Sequence, residues 1–307
     1  AVFLLIFFND WPTFAVLLLL DNFGGGIAIT IGNSLATGIK EKSSRQVFNM
    51  LYFMQNVGVV IGTLLVGVLV EISIEWIFIS NFILFAFYWF VVYRYYYVPK
   101  AALVKEQVAK KGQDKTPLSY VWVIGAILIL FFAIETGYSQ WQSNLSIYME
   151  SLGISVKSYG FLWTINGFVI VCGQPILNKL LDDILKIKLI YKLYLGSALF
   201  VLGFFTLLFA TDYPHFILTM VIVTLGEILT FPTIPAVVDN LSTLSEKGKY
   251  QGAVSVFAAL GRAIGPLAGG LIVDNSSYNM LFTVMIALMG ITTLFVIVVA
   301  QFNLVKK

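Results

Sequence analysis

Long unbroken apolar runs constrain this chain more than any other feature. About ten recur along its 307 residues, most of them 20 or more residues long. As a helix rising ~1.5 Å per residue, such a run spans the ~30 Å hydrocarbon core of a bilayer. Inside lipid every backbone polar group must be bonded within the protein, which leaves only helices and closed barrels. Barrel strands would read as short alternating segments, and these runs are continuous. The fold class is therefore an all-α membrane protein. With 59% apolar, 15% aromatic and 11% charged residues, there is too little polar surface to cover a soluble domain. Nine full spans are expected, at roughly 12–38, 47–72, 75–97, 118–147, 158–180, 189–210, 215–240, 250–273 and 278–302. The opening run, Ala1–Phe8, is too short to cross and begins without Met, so it reads as the tail of a helix whose start is missing. It has neither the basic n-region nor the small-residue cleavage site of a signal peptide.

The connections alternate in charge. Lys40, Lys42, Arg45, Arg94, Lys100, Lys105, Lys110, Lys111, Lys115, Lys179, Lys186, Lys188, Lys192, Lys247, Lys249, Lys306 and Lys307 fall on one side, and Lys157 alone falls on the other. Basic loops stay in the cytoplasm, so this bias puts the C-terminus inside and accounts for the net charge of +3 without nucleic acid. His215, the one histidine, lies in an outer turn beside Pro214, and Cys172 lies alone within an apolar run. Neither a disulfide framework nor a thiol metal site is expected, and no cofactor.

The polar stretch Pro99–Pro117 divides the chain into 1–98 and 118–307, with three spans and a remnant before it and six spans after it. An offset of 203 residues lays Gly58 and Gly62 on Gly261 and Gly265, Gly67 on Gly270 and Glu71 on Asp274. Both copies follow a basic turn and end acidic, so they run in the same direction. Parallel repeats of this kind occur in transporters built from two six-helix halves. Small residues at spacings of three and four let helix backbones approach closely where lipid gives no drive to associate. Gly261, Gly265, Gly269 and Gly270 are thus either packing alone or, with Pro266 removing an amide and bending the helix, a surface on which two halves rock. Pro232 and Pro235 are expected to bend the preceding span.

Asp21, Glu135, Glu227 and Arg262 each fall about 9–17 residues from a predicted helix end, near the bilayer midplane. An ionisable group at that depth costs at least ~2.5 kcal/mol on insertion scales, so each needs a partner or a water-filled cavity. At 100° per residue Glu135, Tyr138, Ser139, Gln142 and Ser146 share one face, read here as cavity lining. Asn49, Tyr52 and Asn56 make a weaker stripe of the same kind. Tyr138 and Trp141 offer ring faces to a planar cation. Glu227 has two candidate neighbours, Glu135 across the cavity and Arg262 one helix away. Facing the first it is a proton-coupling acid; facing the second it is a strut.

Gly261–Gly270 matches G-x-x-x-G-P-x-x-G-G in full, and by this motif the chain resembles the major facilitator superfamily, in particular its bacterial drug:proton antiporter branch. The resemblance implies a twelve-helix fold of which this chain lacks the first two and a half helices, with the motif on the counterpart of the eleventh helix. On the counterpart of the fifth, Gly58, Gly62 and Gly67 remain while Thr63 replaces Pro and Val66 replaces Gly. Glu227 resembles an acidic position of some multidrug:proton members. Asp182, in Asn178–Ile184, keeps its place in a worn copy of G-x-x-x-D-R-x-G-R-R, whose acidic residue helps latch the inward side in the family. Asp21 stands where antiporters carry the Arg of R-x-x-Q-G, and Gly24 replaces the Gln, so that Arg's proton-relay role does not carry over.

No Walker loop, H-E-x-x-H or histidine-based triad is present, so ATP-driven transport and enzymatic chemistry are not expected. The expected function is proton-coupled export of lipophilic, cationic small molecules across the bacterial cytoplasmic membrane by a monomer, with protons, substrate and membrane lipid as its partners. Two alternatives stand beside it: transport of a lipid-linked sugar or neutral metabolite, and a truncated chain with no activity of its own.

Overall fold

Among the described residues every element is a helix. A computed structural model describes residues 1–304 except Asn9, Lys40, Glu71 and 96–114. The polar connection 99–117 thus lies outside the described residues save for 115–117, as do the acidic end of the first repeat copy at Glu71 and the basic residues Lys40, Lys306 and Lys307. A leading group holds α1 (Val2–Leu5), α2 (Thr13–Ala36), α3 (Ser44–Val70) and α4 (Ile74–Tyr95). A trailing group holds α5 (Leu118–Gln142), α6 (Asn144–Ser151), α7 (Val156–Asn178), a π-helical turn (Lys179–Ile184), α8 (Leu189–Leu207), α9 (Tyr213–Thr230), α10 (Thr233–Leu241), α11 (Lys247–Asn275) and α12 (Tyr278–Leu304). Among the described residues eight helices are long and apolar enough to cross a membrane, counting α7 with its π turn and α9 with α10 as one each. The 27-residue α3 matches them in length.

Two expected spans are broken, each for a local reason. The span at 118–147 stops at Gln142, and Ser143 leaves helical geometry at φ −127° and ψ −82°. Just before the break the Trp141 carbonyl accepts from the Tyr159 hydroxyl at 2.6 Å. The span at 215–240 breaks between Phe231 and Thr233, because Pro232 and Pro235 bring no amide to the carbonyls one turn back. Lys179–Ile184 continues α7 as a π turn, with the Leu185 amide donating to the Leu180 carbonyl at 2.9 Å. Such wide turns are rare and gather at functional positions.

The repeat offset holds for whole helices. α2, α3 and α4 begin at residues 13, 44 and 74, and α9, α11 and α12 begin at 213, 247 and 278, so the offsets are 200, 203 and 204. The buried core lies in the trailing group, around Trp141, Phe200, Phe204, Phe216 and Phe282. α4 buries none of its residues.

The two groups meet at the end that carries the α2–α3 and α10–α11 turns, called the basic end below. There α3 packs on α7 and α10, and α2 packs on α11. Ser34 and Thr30 of α2 face Gly248 and Gly252, while Val60 of α3 faces Gly167 nearer mid-depth. The glycine row of α11 lies elsewhere: Gly261, Gly265 and Gly269 face α5, inside the trailing group. It therefore packs helices of one group and is not the surface along which the two groups meet.

Candidate functional site

Glu227 sits midway along the 29-residue span formed by α9 and α10. Gly226 brings α9 close to α8; a Cβ there would stand 2.9 Å from the Gly196 carbonyl oxygen. The carboxylate is buried, at 4% exposure. Tyr52 of α3 donates its hydroxyl to Glu227 Oε1 at 2.8 Å, and Asn166 of α7 donates Nδ2 to Oε2 at 2.9 Å. Asn166 Nδ2 also reaches Thr224 Oγ1 at 2.9 Å, and the Thr224 hydroxyl donates to the Met220 carbonyl at 2.7 Å. Tyr138 stands near the same carboxylate. Around these groups lies an apolar wall centred on Phe231, whose ring meets Tyr52, Phe131, Tyr138 and Phe200 at centroid distances of 5.4 to 6.2 Å. Every hydrogen-bond partner of Glu227 is a neutral donor.

The nearby cation is committed to the other acid. Arg262 Nη1 donates to Glu135 Oε1 at 2.5 Å, with the Glu135 side chain 3% and the Arg262 side chain 48% exposed. Gly261 permits this: a Cβ there would stand 2.7 Å from both Glu135 Cβ and the Phe132 carbonyl oxygen. Beside it a polar ladder ties α5 to α11 around Pro266. Gln140 Nε2 donates to the Gly265 carbonyl at 2.8 Å, and Asn144 Nδ2 donates to Gln140 Oε1 at 2.7 Å and to the Pro266 carbonyl at 3.3 Å. Of the two neighbours expected for Glu227, Arg262 is thus paired with Glu135, and the strut is the Glu135–Arg262 pair.

The polar stripe of α5 divides. Tyr138 turns to Glu227, Ser139 lies against Gly265 and donates to the Thr136 carbonyl at 2.9 Å, and Gln142 is exposed at the helix end. Ser146, beyond the break, belongs to α6. Asn56 is half-buried and donates to the Tyr52 carbonyl at 2.9 Å. Asp21 is half-buried on α2 and forms no hydrogen bond or ion pair with another described residue. At Gly58 and Gly62 a Cβ would meet nothing within 4 Å, and at Gly270 only Asn144 Oδ1 at 3.8 Å, so these three do not share the close packing of Gly261, Gly265 and Gly269.

A second polar cluster closes the basic end. Asp182, held on the π turn, pairs with Arg45 of α3 at 3.3 Å and with Lys192 of α8 at 3.2 Å. Asn49 Nδ2 also donates to Asp182 Oδ2 at 3.3 Å, and Arg45 Nη2 donates to the Ile187 carbonyl at 3.1 Å. Lys192 is fully buried and takes Asn178 Oδ1 as a further acceptor at 2.9 Å. Beside it the Ser44 hydroxyl of α3 bonds Asp239 of α10, which Lys247 pairs at 2.6 Å. A cavity of about 560 Å³ lies between the groups here, with Gln46 and Asn49 on one wall and Asn178 and Asp183 on the other. Asn49 thus belongs to this junction and not to the Glu227 site. Asp239, Asn166 and Thr224 carried no expectation from the sequence, and Lys192 only that of a cation in a basic connection. The one available signal was a Lys or Asp within a turn of an apolar span.

Membrane-crossing helices in two groups, joined at one end and enclosing a buried carboxylate at mid-depth, are the construction of a membrane transporter and not of an enzyme. The comparisons give the family. The chain belongs to the major facilitator superfamily, whose model matches residues 1–265 and 194–305. It is 33% identical over 294 residues to the uncharacterised MFS-type transporter YttB of Bacillus subtilis strain 168, covering 94% of this chain and 72% of that protein. A second uncharacterised MFS-type transporter of the same organism, YqjV, is 26% identical over 263 residues, or 83% of this chain and 62% of the relative. The crystal structure of the human organic anion transporter MFSD10 (TETRAN) superposes with a TM-score of 0.65 over 87% of this chain and 67% of its own, at 14% identity. At that identity the likeness is one of fold.

Proposed function

We propose that this protein is a proton-coupled exporter of lipophilic cations in a bacterial cytoplasmic membrane, with its basic end inside and Glu227 as the coupling carboxylate. One observation carries the reading: Glu227 is buried between the two groups with neutral donors only, while Arg262 is occupied by Glu135. A carboxylate in a low-dielectric site without a cation needs a proton or a positively charged ligand as its counterpart. Exchange of one for the other at a single site is antiport. Phe231, Phe131, Phe200 and Tyr138 supply apolar and ring-face contacts suited to a planar organic cation. Asp182, bonded across the groups, is the latch that closes the cytoplasmic side in this reading. Export as the direction follows the antiporter-like motif of α11.

The test uses everted vesicles from cells expressing the full reading frame that encodes this chain. With an acid-inside gradient, the wild type accumulates ethidium and collapse of the gradient abolishes uptake. Glu227→Gln lowers gradient-driven uptake at least tenfold. Gradient-driven uptake that survives this substitution would remove Glu227 from the coupling step.

A further inference from the structure

Among the described residues Tyr52 is the one member of the leading group that bonds the buried carboxylate of the trailing group. Its ring enters a socket made by Ile170 and Ile228, with Val169, Leu177 and Phe231 around them, and it is itself 8% exposed. The two groups therefore share a hydrogen bond at mid-depth as well as the junction at the basic end. The titratable groups that bear on Glu227 are Tyr52 from α3 and Tyr138 and Glu135 from α5, the last compensated by Arg262; α7 contributes only the neutral Asn166. No other bond crosses between the groups to this carboxylate among the described residues.

We propose that the Tyr52–Glu227 bond is the coupling lock of the transport cycle: it holds the basic end closed while Glu227 is an anion and releases it when Glu227 takes up a proton. This deepens the reading of Glu227 as the coupling carboxylate and rests on it. A phenol donates more strongly to a carboxylate than to a neutral carboxyl, since hydrogen bonds to charged groups are roughly twice as strong as those between neutral partners. Opening the basic end withdraws Tyr52 and leaves the anion with the donors of its own group alone. Protonation removes that penalty, so the protonated form opens to the basic side and the ionised form stays shut. By linkage, the closed form holds the anion in preference to the proton by the same factor. An antiporter needs this order, because an empty, ionised carrier that reopened inward would complete a cycle without moving a proton.

The lock is read as a distance. Gln46 and Asp183 are exposed on opposite walls of the basic-end cavity, so spin labels at Gln46→Cys and Asp183→Cys, in a Cys172→Ser background of the full chain in lipid nanodiscs, report the closed-to-open ratio by electron–electron resonance. In the otherwise unaltered protein the closed fraction is expected to fall as pH is lowered from about 9 to 5. Tyr52→Phe keeps the ring in its socket and removes only the donor. It is expected to lower the closed-to-open ratio roughly five- to tenfold at high pH and to leave a nearly flat pH profile. Glu227→Gln is expected to be flat throughout. A Tyr52→Phe profile that matches its parent while Glu227→Gln is flat overturns the lock and leaves Glu227 as the coupling acid. A parent profile without pH dependence, or one that survives Glu227→Gln, overturns both.

Discussion

Replacing Gly265 by alanine places one methyl group where α5 and α11 leave no room. Its Cβ would stand 2.8 Å from the Thr136 carbonyl oxygen and 3.2 Å from Thr136 Cα, with Ser139 Oγ in the same space. Carbon contacts settle near ~3.5–4.0 Å, so the helices must part by about half an ångström. The Ser139 hydroxyl can rotate away only by giving up its bond to the Thr136 carbonyl, and the Thr136 backbone cannot move aside. Overpacking of this kind costs ~1–3 kcal/mol. The same displacement stretches the buried Gln140–Gly265 bond, now 2.8 Å, worth about 1 kcal/mol. Alanine returns ~0.5–1 kcal/mol of helix propensity over glycine. The net expectation is a loss of about 2 kcal/mol. Gly270→Ala, whose methyl meets only Asn144 Oδ1 at 3.8 Å, and Gly290→Ala, which meets nothing within 4 Å, keep the propensity gain alone. Unfolding in mixed micelles, followed by the fluorescence of tryptophans that include the fully buried Trp141, should separate Gly265→Ala from Gly270→Ala by ~2–3 kcal/mol. Adding Ser139→Ala should recover part of the loss by vacating the contested space. Equal stability of Gly265→Ala and Gly270→Ala, or no recovery with Ser139→Ala, would refute the packing geometry.

Other perturbations test the ends of the helices. Asp182→Asn strands the ammonium of Lys192, which has no exposed surface, and should cost ~3 kcal/mol in the same micelles, most of it regained in the Asp182→Asn, Lys192→Met double variant. Glu246, outside the spans, is held down to about 2 from 4.5 by the Thr116 backbone amide first, then by the Thr116 hydroxyl and Lys249. A depressed carboxylate stabilises above its unfolded value and ceases to do so as pH falls through its folded one. Hydrogen exchange at the Thr116 amide, bonded to Glu246 at 2.9 Å, should therefore be faster in Glu246→Gln above pH 4.5. The two proteins should converge below about pH 2, and equal rates at pH 6 would show that Glu246 does not anchor the start of α5.

Hydropathy sufficed for the helices because burial in lipid asks only for length and apolar content, and the repeat was legible because α3 and α11 keep their glycines in step. The breaks at Ser143 and at Phe231–Pro232 were unequally visible. The prolines announce theirs, whereas no breaker residue stands at Ser143. Helical phase put Glu135, Tyr138 and Ser139 on one face, but phase cannot divide a face between two neighbours, and Tyr138 turns to α9 while Ser139 meets α11. The ladder of spacings likewise could not say which acid holds Arg262. That depends on Gly261 bringing Glu135 closer than Glu227. Asn166 carried no signal, since a lone amide in an apolar helix looks alike whether it caps a carboxylate or a backbone carbonyl.

The sharing of Asp182 between Arg45 and Lys192 bears on how fast the molecule can cycle. Arg45 belongs to the leading group and Lys192 to the trailing one, so when the groups separate the carboxylate exchanges two cations for one and is never left bare in a dry site. At Asp182 separation then costs the 24% exposed Arg45 contact and the Asn49 hydrogen bond, and not full desolvation of an ion. In the proposed cycle the Arg45 contact would part and re-form while Lys192 keeps Asp182 in place. Its release rate should rise with ionic strength, because the contact being lost is the one that water and salt can reach.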